Sequence, residues 1–163
     1  MMKKIFALGL ALAMSLTVLA GCGSKTDDKA ADVKLDAFYE TIFTDPENAP
    51  AMVAMEAEAL EAFYPGLTAV ERKQTVAYMP MMTAVPCEIV MVECAKAEDV
   101  ETVKGIFQAR IDAQVNDHFN YPMVIEAWEK EAAVVDSGNF VALFVVNGMT
   151  EQVVASFNAA LEG

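Results

Sequence analysis

The apolar residues of this chain follow two kinds of spacing, one helical and one extended. Beyond residue 33, a helical stripe with i, i+3, i+4, i+7, i+8 spacing is formed by Leu35, Phe38, Tyr39, Ile42 and Phe43. A weaker helical pattern runs to about Tyr64, where Pro65 and Gly66 end it, and its apolar side consists of Met52, Met55, Leu60 and Phe63. The pattern therefore predicts two N-terminal helices.

The middle of the chain has the composition of a β-hairpin. Residues 74–83 are rich in β-forming residues and methionine, and residues 88–95 form an apolar run between Pro86 and a charged segment. Pro80 lies inside the first run and cannot donate a hydrogen bond to a neighbouring strand. We therefore expect the first strand to be an edge strand or to carry a bulge.

The C-terminal half predicts a helix, a second hairpin and further helices. Asp99 is a candidate cap for the first of these helices, Pro122 stands where another would start, and Thr150 is a candidate cap for the last. Residues 136–139, Asp-Ser-Gly-Asn, are a strong turn signal between two β-rich runs.

Two parts of the chain resemble each other at an offset of 51 residues that falls to 50. Residues 89–92 precede Phe107 much as residues 140–143 precede Phe157, so both rings are expected to be buried against one sheet. The predicted fold class is α+β. It consists of an antiparallel four-stranded sheet from two strand-strand-helix units, with helices on one face and two additional N-terminal helices.

The N-terminus has the pattern of a secretory signal peptide. Lys3 and Lys4 precede an apolar run over residues 5–18, which is shorter than the roughly 20 residues of a membrane-spanning helix. The run ends in Leu-Ala-Gly-Cys at 19–22, which resembles the lipobox of bacterial lipoproteins, whose cysteine is diacylated after cleavage. We therefore expect a lipoprotein signal peptide at 1–21, lipidation at Cys22 and membrane anchoring by two acyl chains. The alternative is a plain apolar helix that contains a cysteine by chance.

Composition then separates the rest of the chain into a tether and a domain. Residues 22–32 are small or charged and predict a lipidated flexible tether, while residues 33–163 predict a single α+β domain. Loss of Lys3 and Lys4 would change the formal charge from −13 to −15. Such a charge argues against nucleic acid and anionic headgroups as partners, and it is compatible with cationic ligands as well as with simple solubility.

Four segments carry a family resemblance in addition to the lipobox. They are Ala-Tyr-Met-Pro-Met-Met at 77–82, Glu-Ile-Val-Met-Val at 88–92, Asp-Val-Glu-Thr-Val-Lys at 99–104 and Phe-Val-Ala-Leu-Phe-Val-Val-Asn at 140–147. Together they resemble the lipoproteins of Gram-positive anaerobes that are grouped as domain of unknown function family 4358, over residues 33–162. The resemblance implies an extracytoplasmic lipoprotein on the outer face of the cytoplasmic membrane. It supplies no catalytic or binding residue.

Candidate catalytic chemistry is sparse. His118 is the single histidine, and no nucleophile-elbow, zinc-protease, Cys-x-x-Cys or phosphate-loop motif is present. Cys87 and Cys94 lie seven residues apart in one predicted strand, so they should face opposite sides about 23 Å apart and form no mutual disulfide. We therefore predict that the protein is not an enzyme and uses no cofactor.

The methionines suggest a more specific alternative, which is a metal site that binds Cu(I). Soft sulfur ligands that select Cu(I) could come from Met79, Met81 and Cys87, with Met82, Met91 and Cys94 nearby. The competing interpretation is that these side chains fill a core between the sheet and its helices, and we predict no metal site. A discriminating observation is whether Met79, Met81 and Cys87 share one exposed hollow.

The preferred function is a membrane-anchored, non-enzymatic module of the cell envelope that binds a protein or a small ligand. We expect binding at a bare face of the sheet or at its edge strand. A copper-binding lipoprotein is the second hypothesis, and an exported hydrolase is the third.

Overall fold

The computed structural model of the chain describes residues 33–45, 47 and 49–163. The predicted signal peptide, Cys22 and the predicted tether lie outside the described residues. The α+β class is confirmed. The helices are α1 (Leu35–Ile42), α2 (Ala57–Phe63), α3 (Val100–Val115), α4 (Pro122–Glu131) and α5 (Thr150–Glu162), and the strands are β1 (Met52–Ala54), β2 (Arg72–Pro80), β3 (Cys87–Cys94), β4 (Ala133–Ser137) and β5 (Phe140–Val146).

The sheet is antiparallel, with five strands in the order β1-β2-β3-β5-β4, so the prediction of four strands was wrong. The additional strand is β1, whose Met52 pairs with Pro80 and whose Ala54 pairs with Tyr78. The apolar spacing predicts Met52 on the apolar side of the second helix, but that helix begins only at Ala57. The three residues of β1 are too few to show a periodicity in the sequence. They are extended because they pair with β2.

Because β1 covers β2, the expectation that β2 is an edge strand was also wrong. Pro80 lies at the end of β2, beyond Tyr78, which is the last residue of β2 paired with β3. The missing N–H of Pro80 therefore costs the β2–β3 ladder nothing. A shift in the pairing register does occur, but between Arg72 and Gln74 at the opposite end of the strand.

Helices cover both faces of the sheet, not one. Every residue of β3 and of β5 is buried, and strands buried on both faces read as continuous apolar runs. One face packs against α2, α3 and α4, and the other packs against α1 and α5. The unbroken runs in β3 and β5 already indicated this two-sided burial, and the predicted bare face does not exist.

Phe107 and Phe157 are both fully buried against the same sheet, as expected. They nevertheless lie on opposite faces, because α3 covers one side and α5 the other. The equivalent strand residues Ile89 and Phe140 share a face. The apparent repeat therefore holds for the two hairpins but not for the placement of their helices.

The predicted helix starts were partly correct. Pro122 is the first residue of α4, and the turn between β4 and β5 contains Gly138 with a φ of +57°. Asp99 makes no capping hydrogen bond with its side chain. The Thr150 hydroxyl accepts a hydrogen bond from Val146 N at 2.8 Å, so it holds the end of β5 and does not cap α5. Among the described helices, none is long and apolar enough to cross a membrane.

Candidate functional site

A buried polar network lies where α3 crosses the start of β3. Glu88 is only 3% exposed, and its carboxylate accepts hydrogen bonds from Arg110 Nε at 2.8 Å and Nη2 at 2.7 Å. The Tyr64 hydroxyl donates a further bond to the same carboxylate. The two guanidinium bonds form the parallel fork that makes arginine–carboxylate pairs strong.

Aromatic rings surround the guanidinium group of this network. The Arg110 carbon Cζ lies 4.8 Å from the ring centre of Phe63, 5.8 Å from Tyr64 and 5.5 Å from Trp128. Burial, and then the charge of Glu88, raise the pKa of Tyr64 well above its usual value. The phenol therefore stays protonated and continues to donate. Because both carboxylate oxygens are already engaged by the protein, the network stabilises the fold and offers no open carboxylate for a ligand.

The outer edge of β1 is arranged differently. Met55 N donates to Ala77 O, and Met81 N donates to Ala51 O, each at 2.9 Å. Backbone bonding directions alternate along a strand, so Val53, midway between these bonds, directs its N–H and C=O toward β2. Met52 and Ala54 consequently direct theirs away from the sheet. No described strand pairs with this edge.

Beside this edge is an open cleft of about 410 Å³ between α1 and the β1–β2 pair, which we call the tyrosine cleft. Tyr39 from α1 and Tyr78 from β2 stack along it, with ring centres 3.9 Å apart and planes within 10°. Ala54 of the β1 edge also lines the cleft. The outward-facing backbone of β1 and the tyrosine pair therefore belong to one continuous surface.

The tyrosine cleft is acidic. Asp36 and Glu40 line it from exposed positions on α1, and no basic side chain is among its described lining residues. Burial, followed by the proximity of Tyr78 and Cys87, raises the pKa of Tyr39 to about 12. Its phenol is thus a neutral hydrogen-bonding group near neutral pH. The cleft combines flat aromatic surface with negative charge, which is a surface suited to a cationic group.

The sulfur residues of the copper hypothesis are separated from one another. Val76 packs on the α1/α5 face and Ala77 on the other, so strand alternation places Met79 with Ala77. Cys87 is buried on the α1/α5 face, where burial and then the charge of Glu88 raise the pKa of its thiol to about 12. Met81 is 69% exposed. These three side chains share no single exposed hollow.

The remaining sulfur atoms lie in the core or in solvent. Met91 is fully buried, and Met82 is 65% exposed. Cys87 and Cys94 are both free and belong to clusters on opposite faces, as their spacing predicts. Their separation leaves no disulfide between them.

His118 is exposed in the connection between α3 and α4. Cys87 and Cys94 are the two thiols that a histidine base could activate as nucleophiles, and both are buried in strand β3. The exposed imidazole and the buried thiols therefore occupy different environments. Within the part of the chain that the structure describes, no group of three or more His, Cys, Asp or Glu residues could hold a metal.

Sequence reasoning missed both the β1 edge and the pairing of Glu88 with Arg110. Glu88 directly precedes the apolar residues 89–92, and this was a usable signal, because a buried carboxylate needs a partner. Nothing local identified Arg110, which lies 22 residues away. The helical spacing predicts Tyr39 in the buried stripe of α1, whereas it is only partly buried and stacks on Tyr78.

Comparisons with known proteins identify a family for this chain, but they assign no activity to it. No curated protein and no solved structure matches the chain. The family model described as "Domain of unknown function (DUF4358)" matches residues 45–146. This region contains all five strands and the network of Tyr64, Glu88 and Arg110, but it excludes α1 and α5. With more than half of its length matched, the chain belongs to the DUF4358 family.

Proposed function

We propose that this protein is a membrane-anchored extracytoplasmic lipoprotein that acts as a non-enzymatic binding module. The N-terminal Leu-Ala-Gly-Cys at 19–22 supports the anchor, because a thiol at this position is the nucleophile that takes up the lipid. The binding surface is the β1 edge together with the tyrosine cleft.

One observation carries the binding role: a strand edge that no described strand pairs with opens directly onto an aromatic, acidic cleft. Unpaired edges readily accept another strand, and proteins normally protect them. The length of β1, three residues, limits indiscriminate pairing. Binding at this edge therefore needs side-chain contacts in the cleft as well as backbone hydrogen bonds, which makes it selective.

The opposite edge of the sheet is better protected. Asp136 of β4 forms an ion pair with Lys104 of α3 at 3.0 Å, so a helix is tied to that edge. A charged pair at an edge discourages the approach of another strand. This contrast favours β1 over β4 as the binding edge.

The non-enzymatic role is supported by the environment of the available nucleophiles. Burial raises the pKa of the Cys87 thiol to about 12, and burial also raises that of Cys94. Thiols with raised pKa values are protonated at neutral pH and are poor nucleophiles. His118 is exposed and is not among the groups that shift the pKa of either thiol.

The anchor is tested by labelling cells with a radioactive or alkyne-bearing fatty acid. We expect label on the wild-type protein, a mature N-terminus at Cys22 and loss of label in Cys22→Ala. An unmodified N-terminus at another residue would contradict the anchor.

The binding surface is tested with a photocrosslinking amino acid incorporated at Ala54 in intact cells. The matched control carries the same group at Glu101, which is exposed on α3 away from the cleft. We expect a discrete adduct from position 54 that charge reversal by Asp36→Lys and Glu40→Lys abolishes. Adducts of equal yield from both positions would argue against a site at the β1 edge.

A further inference from the structure

We infer that the tyrosine cleft and β1 edge receive an extended cationic peptide segment of a partner protein, which adds to the sheet as a sixth strand. This inference rests on the proposed binding function and specifies its ligand. It uses the backbone groups of Met52 and Ala54, the stacked Tyr39 and Tyr78, and the carboxylates of the cleft.

The backbone part of the site is set by the direction of the β1 groups. Met52 and Ala54 direct N–H and C=O outward, because the hydrogen bonds on either side of Val53 fix the alternation. A strand added there would lie about 4.8 Å beyond β1 and bond to these groups. In this mode main-chain bonds supply affinity and alternate side chains supply selectivity.

The two sides of such a strand would meet different surfaces. Ala54 lines the tyrosine cleft, so the side chains of the peptide on that side contact the tyrosines and carboxylates. Val53 lies on the opposite side of the strand and is 45% exposed. A peptide that alternates basic and apolar residues therefore fits the edge better than a uniformly basic or uniformly apolar one.

Charge complementarity selects a basic partner. Asp36 and Glu40 contribute two negative charges at the cleft, and the formal net charge of the chain is −13. A lysine or arginine over the face of a tyrosine gains a cation–π contact, and the surrounding field attracts cations from a distance. The same charge disfavours edge-to-edge pairing of two copies of this chain.

The experiment measures fluorescence anisotropy of a labelled seven-residue peptide that alternates lysine and valine and has both ends blocked. It is titrated with the full chain in nonionic detergent. We expect saturable one-to-one binding that weakens steeply with added salt, and no binding of the matching peptide that alternates glutamate and valine.

Ala54→Pro tests the backbone part of the site. It removes the outward N–H while leaving the β1–β2 hydrogen bonds intact, and Ala54→Ser is the control that keeps the N–H. We expect at least a tenfold loss of affinity in Ala54→Pro and little change in Ala54→Ser. Equal affinities in these two variants would overturn strand addition.

A probe methylated on alternate backbone nitrogens gives the same test without changing the protein. We expect loss of binding for the methylation register that blocks the edge-facing nitrogens and retention for the other register. Equal binding of both registers would overturn strand addition even if Ala54→Pro failed to fold.

The charge part is tested by combining Asp36→Asn with Glu40→Gln. We expect weaker binding and a shallower salt dependence, and an unchanged salt dependence would overturn the assigned role of these carboxylates. If the Ala54 crosslink persists while the lysine–valine peptide fails to bind, the binding module stands and the peptide inference falls. If neither is observed, both fall.

Discussion

Two glutamates of one strand are both buried, but their carboxylates have different partners. Glu88 and Glu93 stand near opposite ends of β3 and are 3% and 8% exposed. Their spacing of five places them on opposite faces of the sheet. Glu88 meets Arg110, while Glu93 accepts hydrogen bonds from Lys73 Nζ at 2.8 Å and Gln74 Nε2 at 2.7 Å.

The surroundings of the two glutamates differ in access to water. Arg110 has a side-chain exposure of 9% and is surrounded by aromatic rings, whereas that of Lys73 is 50%. A planar guanidinium fork can satisfy a carboxylate in a dry interior, while an ammonium group is strongly hydrated and prefers to keep contact with water. Glu88 is therefore part of the interior, and Glu93 remains coupled to solvent.

Glu93 also helps to position the segment before α1. Gln74 donates to Val33 O at 2.9 Å and accepts a hydrogen bond from Leu35 N at 3.1 Å, in addition to its bond to Glu93. The start of α1, which carries Asp36, is thereby fixed to β2. The comparison shows two different roles. Glu88 and its partners fill the interior on one face of the sheet, while Glu93 and Gln74 hold the start of the helix that borders the tyrosine cleft.

Among these substitutions, we expect Arg110→Met to destabilise the fold most. It leaves the Glu88 carboxylate buried without a counter-charge, which should lower the free energy of unfolding by about 3–5 kcal/mol. Urea unfolding of the full chain measures it. The double variant with Glu88→Leu should recover much of the loss, and a double variant as unstable as Arg110→Met would contradict the ion-pair explanation.

Tyr64→Phe should have the next largest effect. It removes the hydroxyl that donates to buried Glu88, and we expect a loss of about 1–2 kcal/mol in the same unfolding measurement. Tyr78→Phe is the matched control, because it removes a hydroxyl from the cleft and keeps the ring stacked on Tyr39. Equal losses in the two variants would remove the distinction between a closed network and an open cleft.

Lys73→Met should cost less than about 1 kcal/mol, because half of the lysine side chain is exposed and its ion pair is screened by solvent. Thermal unfolding at low and high salt measures the difference. A loss as large as that of Arg110→Met would show that Glu93 is held as tightly as Glu88.

Glu93→Gln should change stability least, and its effect should be seen in how the free energy of unfolding depends on pH. Burial alone would raise the pKa of Glu93, but hydrogen bonds from Lys73 and Gln74 hold it below its ordinary value of 4.5. The folded state therefore binds the proton less readily than the unfolded state. This stabilisation is present above the unfolded pKa and is lost as pH falls through the folded pKa.

This pH dependence is measured by unfolding wild type and Glu93→Gln at a series of pH values from 7 down to about 3. The stability difference between them should shrink as the medium becomes more acidic, beginning near the unfolded pKa. A difference that grows on acidification would reverse the assigned sign.

Several features of the fold could be predicted from local spacing in the sequence alone. Pro122 marked the start of α4, the segment 136–139 marked the β4–β5 turn, and the interval between Cys87 and Cys94 placed the thiols on opposite faces. These features depend on backbone geometry over a few residues. The α+β class followed from the same periodicities.

Features that depend on contacts between distant segments could not be predicted in this way, because they arise only in the folded chain. Met52–Ala54 became a strand only by pairing with β2, and α3 and α5 took opposite faces because both sides of β3 and β5 are apolar. Tyr39 meets Tyr78, and Glu88 meets Arg110, across long stretches of chain. No local period encodes such contacts, since they follow from the order of strands and from the burial of surfaces that a single sequence does not pair.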